Sequence, residues 1–243
     1  MTERGARALS PGLYIVATPI GNLGDITLRA LDVLKGADAI LCEDTRVTAT
    51  LARRFGLGAE RIAYHDHNAD AVRPGLIARL AAGAVLALVS DAGTPLVSDP
   101  GFKLVRDAVA AGIPVIPVPG ASAALAALTV SGLPTDRFLF AGFLPAKSAA
   151  RRRELRELAA VRASLIFYET APRLAEALAD MAAMLGDRPA AVARELTKLH
   201  EEVRRGSLSA LAEHYRGAGP PKGEIVVIVG PPAADAAVTE PDL

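Results

Sequence analysis

The run Ser90-Asp91-Ala92-Gly93-Thr94-Pro95-Leu96-Val97-Ser98-Asp99-Pro100-Gly101 does most to limit what this chain can fold into. It follows Ala84 to Val89, a continuous apolar segment of strand length, and precedes Phe102, Val105, Ala108 and Val109 at helical spacing. A fully apolar strand feeding an amphipathic helix is the pattern of a buried parallel sheet. Such sheets take their ligands just beyond the carboxyl ends of the strands. The run suits that place: its glycines allow close approach to the backbone, its prolines stiffen the path, and Asp, Ser and Thr offer polar groups. Those residue types also dominate ordinary turns. Twelve residues is long for a strand-to-helix connection, however, since about 2–6 is usual and long ordered loops tend to be functional.

The chain of 243 residues accommodates one large α/β domain or two smaller ones, and its 51% of hydrophobic residues supply a sizeable core. The longest apolar runs, Ala123 to Val130 and Ile225 to Val229, fall far short of the ~20 residues of a membrane helix. Near the start, Glu3, Arg4 and Arg7 followed by Pro11-Gly12 lack the apolar stretch of a signal peptide. The single cysteine, Cys42, lies in an apolar segment and reads as a buried small residue in a reducing, cytoplasmic compartment. Lys plus Arg equals Asp plus Glu at 27 each, so any surface for nucleic acid must be local.

Along the chain, Leu13–Ala17 reads as a first strand, and a glycine loop from Thr18 to Asp25 follows. A helix then carries Ile26, Ala30, Val33, Leu34 and Ala37 on one face. Ala39–Cys42 is a second strand ending in Glu43-Asp44, and Thr45 is placed to cap the helix carrying Leu51 and Phe55. Arg61–Tyr64 is a short third strand, and a helix up to Leu80 leads to the central strand. Ile113–Val118, broken by Pro114 and Pro117, reads as an edge strand. Strands alternating with helices up to Val118 argue for a parallel sheet with right-handed crossovers. Beyond it comes an Ala-rich helix over 121–130, then strands at Phe138–Ala141 and Ser164–Tyr168 separated by a strongly basic helix. Strands at Ala190–Leu196, Glu201–Arg205 and Glu224–Val229 are spaced closely enough for antiparallel pairing. The expectation is two α/β domains. An N-terminal, mostly parallel sheet with flanking helices covers 1–118, a C-terminal mixed sheet covers 119–231, and 232–243 form a flexible tail.

Several short motifs compete for a chemical reading. Gly21 and Gly24, with Glu43 about 20 residues on, resemble a dinucleotide fingerprint that lacks its third glycine. No Gly-Lys-Ser/Thr follows a glycine loop, and Gly120-Ala121-Ser122-Ala123-Ala124 misses the second glycine of a nucleophile elbow. His65-Asp66-His67-Asn68 could aim two imidazoles the same way, but the other histidines, His200 and His214, form no second cluster, so a polar loop or a substrate contact is the better reading. Arg151-Arg152-Arg153 with Arg156 and Arg162 is either a solvated helix face or a grip on phosphates.

Six longer motifs occur together and in order. They are Ala17-Thr18-Pro19-Ile20-Gly21-Asn22-Leu23-Gly24-Asp25-Ile26-Thr27, Cys42-Glu43-Asp44-Thr45-Arg46, the Ser90–Gly101 loop, Pro119-Gly120-Ala121-Ser122-Ala123, Phe167-Tyr168-Glu169, and Arg194 to Glu202. In this arrangement the chain closely resembles the ribosomal RNA small subunit methyltransferase I family of the tetrapyrrole methylase superfamily, over roughly residues 12–230. One departure is Thr170, which stands between Glu169 and Ala171 where the family pattern would run on directly.

That resemblance implies transfer of a methyl group from S-adenosylmethionine to the ribose 2′-hydroxyl of a cytidine in 16S ribosomal RNA, cytidine 1402 in the family. It also implies a homodimer acting on 16S RNA, within the assembled small subunit, and a cofactor cleft between the two domains rather than at the Gly21–Gly24 loop. Carried over, the cofactor-binding positions are Gly93, Thr94, Val97, Ser98, Ala121, Ser122, Ala123, Phe167, Tyr168 and Leu196. Methyl transfer from a sulfonium needs positioning and no metal. A ribose hydroxyl must still lose its proton to a base, or beside a cation. Candidates near the expected cleft are Asp25, Glu43, Asp44, Asp91 and Lys198, although acids at helix starts commonly cap backbone amides. RNA contacts are expected at Arg151, Arg152, Arg153, Arg156 and Lys147, then at Arg46, His65 and His67. Two alternatives are a tetrapyrrole C-methyltransferase, which would want a wide apolar pocket without a basic rim, and a non-catalytic RNA-binding assembly factor.

Overall fold

The computed structural model describes residues 9–233, so most of the tail expected at 232–243 lies outside the described residues. The chain divides between Ser122 and Ala123 into two compact units.

The first unit holds β1 (Gly12–Val16), α1 (Leu28–Gly36), β2 (Ala39–Cys42), α2 (Thr45–Phe55), β3 (Glu60–Ala63), α3 (Ala69–Ala81), β4 (Val85–Leu88), α4 (Phe102–Ala110) and β5 (Val115–Val118). All its strands pair in parallel, in the order β3-β2-β4-β1-β5. Alternation along the strands builds two cores. Tyr14, Val16, Ile40, Cys42 and Ala87 pack with Val33 and Leu34 of α1 and Leu51 of α2 on one face. Leu13, Leu41, Leu86 and Leu88 pack with Leu76 and Leu80 of α3 and Leu104 of α4 on the other. Central strands buried on both faces are why β2 and β4 read as unbroken apolar runs. β5 pairs with β1 alone, so its Pro117 sits at the sheet edge, where a missing donor is tolerated.

Two helix starts deserve correction or detail. Thr45 is not the cap of α2; it is the first helical residue, and Asp44 caps the helix by accepting from the Arg46 amide at 2.8 Å. Ile26 precedes α1, whose cap is Thr27, with its hydroxyl accepting from the Ala30 amide.

The second unit holds α5 (Ala123–Ser131), β6 (Phe138–Phe143), α6 (Ser148–Leu158), β7 (Ser164–Thr170), α7 (Leu174–Leu185), β8 (Pro189–Arg194), β9 (Glu202–Ser207), α8 (Leu208–Ala218) and β10 (Glu224–Val229). Its sheet runs β6-β7-β10-β8-β9, parallel between β6 and β7 and antiparallel elsewhere, as a mixed sheet should. Leu165, Phe167, Val192 and Val227 face a core shared with Leu155, Leu178, Met181 and Leu211 from α6, α7 and α8. The connection from β9 to β10 is α8 rather than a hairpin. Thr170 ends β7 and leads into the short 3-10 turn Ala171–Arg173, where Glu169 holds both the Thr170 amide (2.7 Å) and the Arg173 guanidinium (3.2 Å).

Candidate functional site

Strand order locates a crevice in the first unit. From β1 the chain leaves to α1 on one face of the sheet, while from the neighbouring β4 it leaves to α4 on the other. Adjacent strands whose connections diverge leave an opening at their carboxyl ends, the usual ligand position in such sheets. Here the two loops are tied by a reciprocal backbone pair: Thr18 N–H to Gly93 O at 2.9 Å and Gly93 N–H to Thr18 O at 3.0 Å. The Thr18 hydroxyl donates to Ser90 O and the Ser90 hydroxyl to Gly93 O, so both side chains are spent on shaping the loop. Thr94 donates to Ala121 O at 3.0 Å, fixing the loop to the segment after β5.

Glycines let the loops pack closely where they meet. Gly93 has φ +84°, and a Cβ there would stand 3.2 Å from Ile20 Cγ2; one at Gly120 would stand 3.0 Å from Ala17 Cβ. Leu96 (φ 72°) and Ser98 (φ 62°) hold left-handed conformations without being glycine. Backbone strain of about 1–3 kcal/mol per such residue persists where structure over-determines it, commonly at ligand clamps. A cavity of about 290 Å³ adjoins, lined by Thr18, Leu23, Thr48, Leu51, Ser90 and Asp91 among others.

The acidic candidates separate by environment. Asp44 is committed: it caps α2, pairs with Arg46 at 2.6 Å, and those bonds hold its carboxyl down at about 2. That makes it the poorest base of the set. Asp91 accepts from the Asp44 amide at 3.1 Å, bracing the end of β4 against the start of α2. Glu43 is pushed up, chiefly by desolvation and then by Asp91 and Asp66. Asp25 is exposed in the 3-10 turn Leu23–Asp25. Sequence reasoning passed over Asp99, whose carboxyl burial raises to about 6, with Glu43 and Asp91 adding repulsion. Its position six residues after Gly93 in the same loop was the available signal.

In the second unit, β8 ends in another strained turn, with Glu195 at φ 50° and Thr197 at φ 67°. Lys198 bonds Glu195 and Glu224, each at 2.8 Å. Burial opposes its charge, but the two carboxylates outweigh burial and its pKa rises. Lys198 is thus a held ammonium, which suits the cation alternative and not the base. Phe167 is fully buried in the core of this unit, so its ring is committed to packing. Tyr168 faces the opposite side of β7 and packs edge-on against Phe140 (4.9 Å) and Phe143 (5.4 Å). Leu196 is buried within the strained turn, Ala121 and Ser122 close the first unit, and Ala123 opens α5; Val97 and Ser98 lie on the strained loop.

The basic helix is not the open patch expected. Arg151 is 1% exposed, bonds Asp180 at 2.7 Å and donates to the carbonyls of Pro145 and Ala146. It cannot meet RNA, since the α6–α7 packing consumes its whole fork. Arg152 shares Asp180 at 2.8 Å; Lys147, Arg153 and Arg156 are exposed. In the turn after β3, Asn68 accepts from the His65 amide at 2.9 Å, and the His65 and His67 rings stand 6.0 Å apart. Among the described residues no group of three or more His, Cys, Asp or Glu side chains is arranged to hold a metal.

The family model for Tetrapyrrole (Corrin/Porphyrin) Methylases matches residues 12–212. A protein of Mesorhizobium japonicum called ribosomal RNA small subunit methyltransferase I is 59% identical over 99% of this chain and 81% of its own length. One of the same name from Erythrobacter litoralis is 59% identical over 95% of this chain and 81% of its own. Among solved structures, uroporphyrin-III-C-methyltransferase of Thermus thermophilus superposes with a TM-score of 0.63 at 25% identity, covering 90% of this chain and 94% of that one.

Proposed function

The chain belongs to the ribosomal RNA small subunit methyltransferase I family of tetrapyrrole methylases, and from that membership we propose that it methylates the ribose 2′-hydroxyl of a cytidine in 16S ribosomal RNA, using S-adenosylmethionine. The observation that supports the cofactor reading is the crevice at the carboxyl ends of β1 and β4, where the tied, strained loops meet beside a cavity of about 290 Å³. When bound, the cofactor supplies an electrophilic methyl group on a sulfonium. Gly93, Thr94, Val97, Ser98, Ala121 and Ser122 of the first unit would hold it. A loop strained and cross-bonded before the ligand arrives reduces the ordering cost of binding.

Removing the hydroxyl proton falls to carboxylates on the loops that follow β2 and β4. A useful base has a pKa near the working pH. Asp99, at about 6, and the raised Glu43 answer that description, whereas Asp44 does not. Asp91 acts as a positioning residue through the Asp44 amide. A 16S RNA substrate places the enzyme in the cytoplasm.

The test combines the purified protein with S-adenosylmethionine carrying a labelled methyl group and either naked 16S RNA or assembled small subunits. Mass spectrometry of the digested RNA should find label in 2′-O-methylcytidine. Label on a base, or on a tetrapyrrole offered instead, would overturn the assignment. Cofactor binding by calorimetry without any transfer would leave an RNA-binding factor.

A further inference from the structure

The sequence from Thr45 to Ile62 carries four arginines against one glutamate, within a chain of zero net charge. That glutamate, Glu60, pairs with Arg79 at 3.1 Å. Three of the arginines, Arg46, Arg53 and Arg61, line a groove of about 480 Å³ between α2 and the edge strand β3. Its remaining walls are Ala49, Ala52 and Leu57, and no acid lines it. Arg46 pairs with Asp44 yet stays 89% exposed. Arg53 makes one long side-chain bond, to Thr50 at 3.5 Å. Among the described residues, Arg61 makes no side-chain hydrogen bond or ion pair.

The α6 helix offers the contrast. Asp180 takes up Arg151 and Arg152, and the remaining Arg153 and Arg156 alternate with Glu154 and Glu157. Two of its four arginines are thus neutralised by Asp180, whereas among the described residues Arg53 and Arg61 of the groove make no ion pair. Concave cationic surface with small apolar walls attracts a polyanion of modest width. Arginine forks suit phosphate oxygens, and the Ala49, Ala52 and Leu57 walls accept the apolar face of a sugar.

We propose that this groove grips the phosphodiester backbone of the substrate RNA, with Arg53 and Arg61 as phosphate contacts and Arg46 at its upper end. The proposal rests on the reading of RNA as the substrate. The affinity it supplies is electrostatic and independent of sequence.

The test measures the affinity of full-length protein for a 16S RNA fragment at several salt concentrations between about 50 and 200 mM. Each lost phosphate contact should flatten the log–log slope by roughly 0.7–0.9. The double variant Arg53→Gln/Arg61→Gln should therefore lose roughly 1.4–1.8 of slope while binding S-adenosylmethionine as the parent does, by calorimetry. Arg153→Gln/Arg156→Gln should keep the parental slope. A parental slope in the groove variant alongside RNA binding and methylation by the parent would overturn the groove and leave the enzyme reading intact. Wild-type protein that neither binds nor methylates RNA would overturn both. If inorganic pyrophosphate binds the groove, with the RNA slope insensitive to both arginines, the site is one for a small phosphate and the proposal fails.

Discussion

At the scale of single residues, two side chains carry consequences that their neighbours in the chain do not announce. Arg151 stands in a run of three arginines and reads from sequence as surface charge; its partner Asp180 lies 29 residues on, and only the packing of α6 on α7 brings them together. Replacing Arg151 by Met leaves Asp180 with less compensation and strips the Pro145 and Ala146 carbonyls of a donor. Breaking a buried pair costs about 3 kcal/mol. Chemical denaturation should show that loss for Arg151→Met and almost none for the neighbouring Arg153→Gln; equal effects would contradict the burial. Asp99 makes a prediction of a different kind. Its pKa rises from an ordinary 3.8 to about 6 in the folded chain, through burial first and then through Glu43 and Asp91. Between those values the folded state holds a proton that the unfolded state releases, so stability falls as pH rises through the window. Thermal melts should find Asp99→Asn close to the parent below pH about 4 and more stable than it above about 6. A gap that does not change with pH would sink this account.

Among the elements, the ones legible from sequence were those whose burial matches a simple period. β2, β4 and β10 are unbroken apolar runs, and each is where the pattern placed it, within a residue at each end. The helices α7 and α8 were passed over. α7 buries Leu174, Ala177, Leu178 and Met181 on one face, but the partly buried Ala175, Ala179 and Ala182 elsewhere on the helix blur the polar stripe that would mark it. α2 shows the limit of cap reading. Asp44-Thr45 offers two capping side chains in succession, and the choice falls to Asp44 because Asp91 receives its amide and holds its backbone extended. Asp44→Ala should thus cost about 1 kcal/mol through the lost cap. Removing the carboxylate also frees Arg46 of the groove, so the same variant should bind RNA at least as tightly as the parent. Asp44→Asn, which keeps a capping oxygen, should restore most of the stability. If Asn behaves as Ala does, the role of Asp44 lies in its pairing with Arg46 rather than in capping.

For the whole molecule, sequence pattern yields class and not order. Alternating strands and helices required a parallel sheet in the first unit, but nothing local says that β4 inserts between β2 and β1. That insertion makes the loops after β1 and β4 neighbours, and the Thr18–Gly93 pair with it, so the crevice was legible only as a suspiciously long loop. The second sheet carries the question of assembly. Among the described residues β6 is an edge strand paired only with β7, and it exposes Phe138 (46%) and Phe143 (52%). An open edge bearing large apolar side chains is a pairing surface unless something covers it. A second copy of this chain is the cover we expect. Sedimentation at micromolar concentration should return the mass of two chains, and Phe138→Ser/Phe143→Ser should shift it toward one. Wild-type protein sedimenting as one chain would rule out the homodimer. A two-chain mass in the double variant would instead keep the dimer and move its interface away from β6. The exposed Phe102 and Val109, one heptad apart on α4, would then be the next surface to alter.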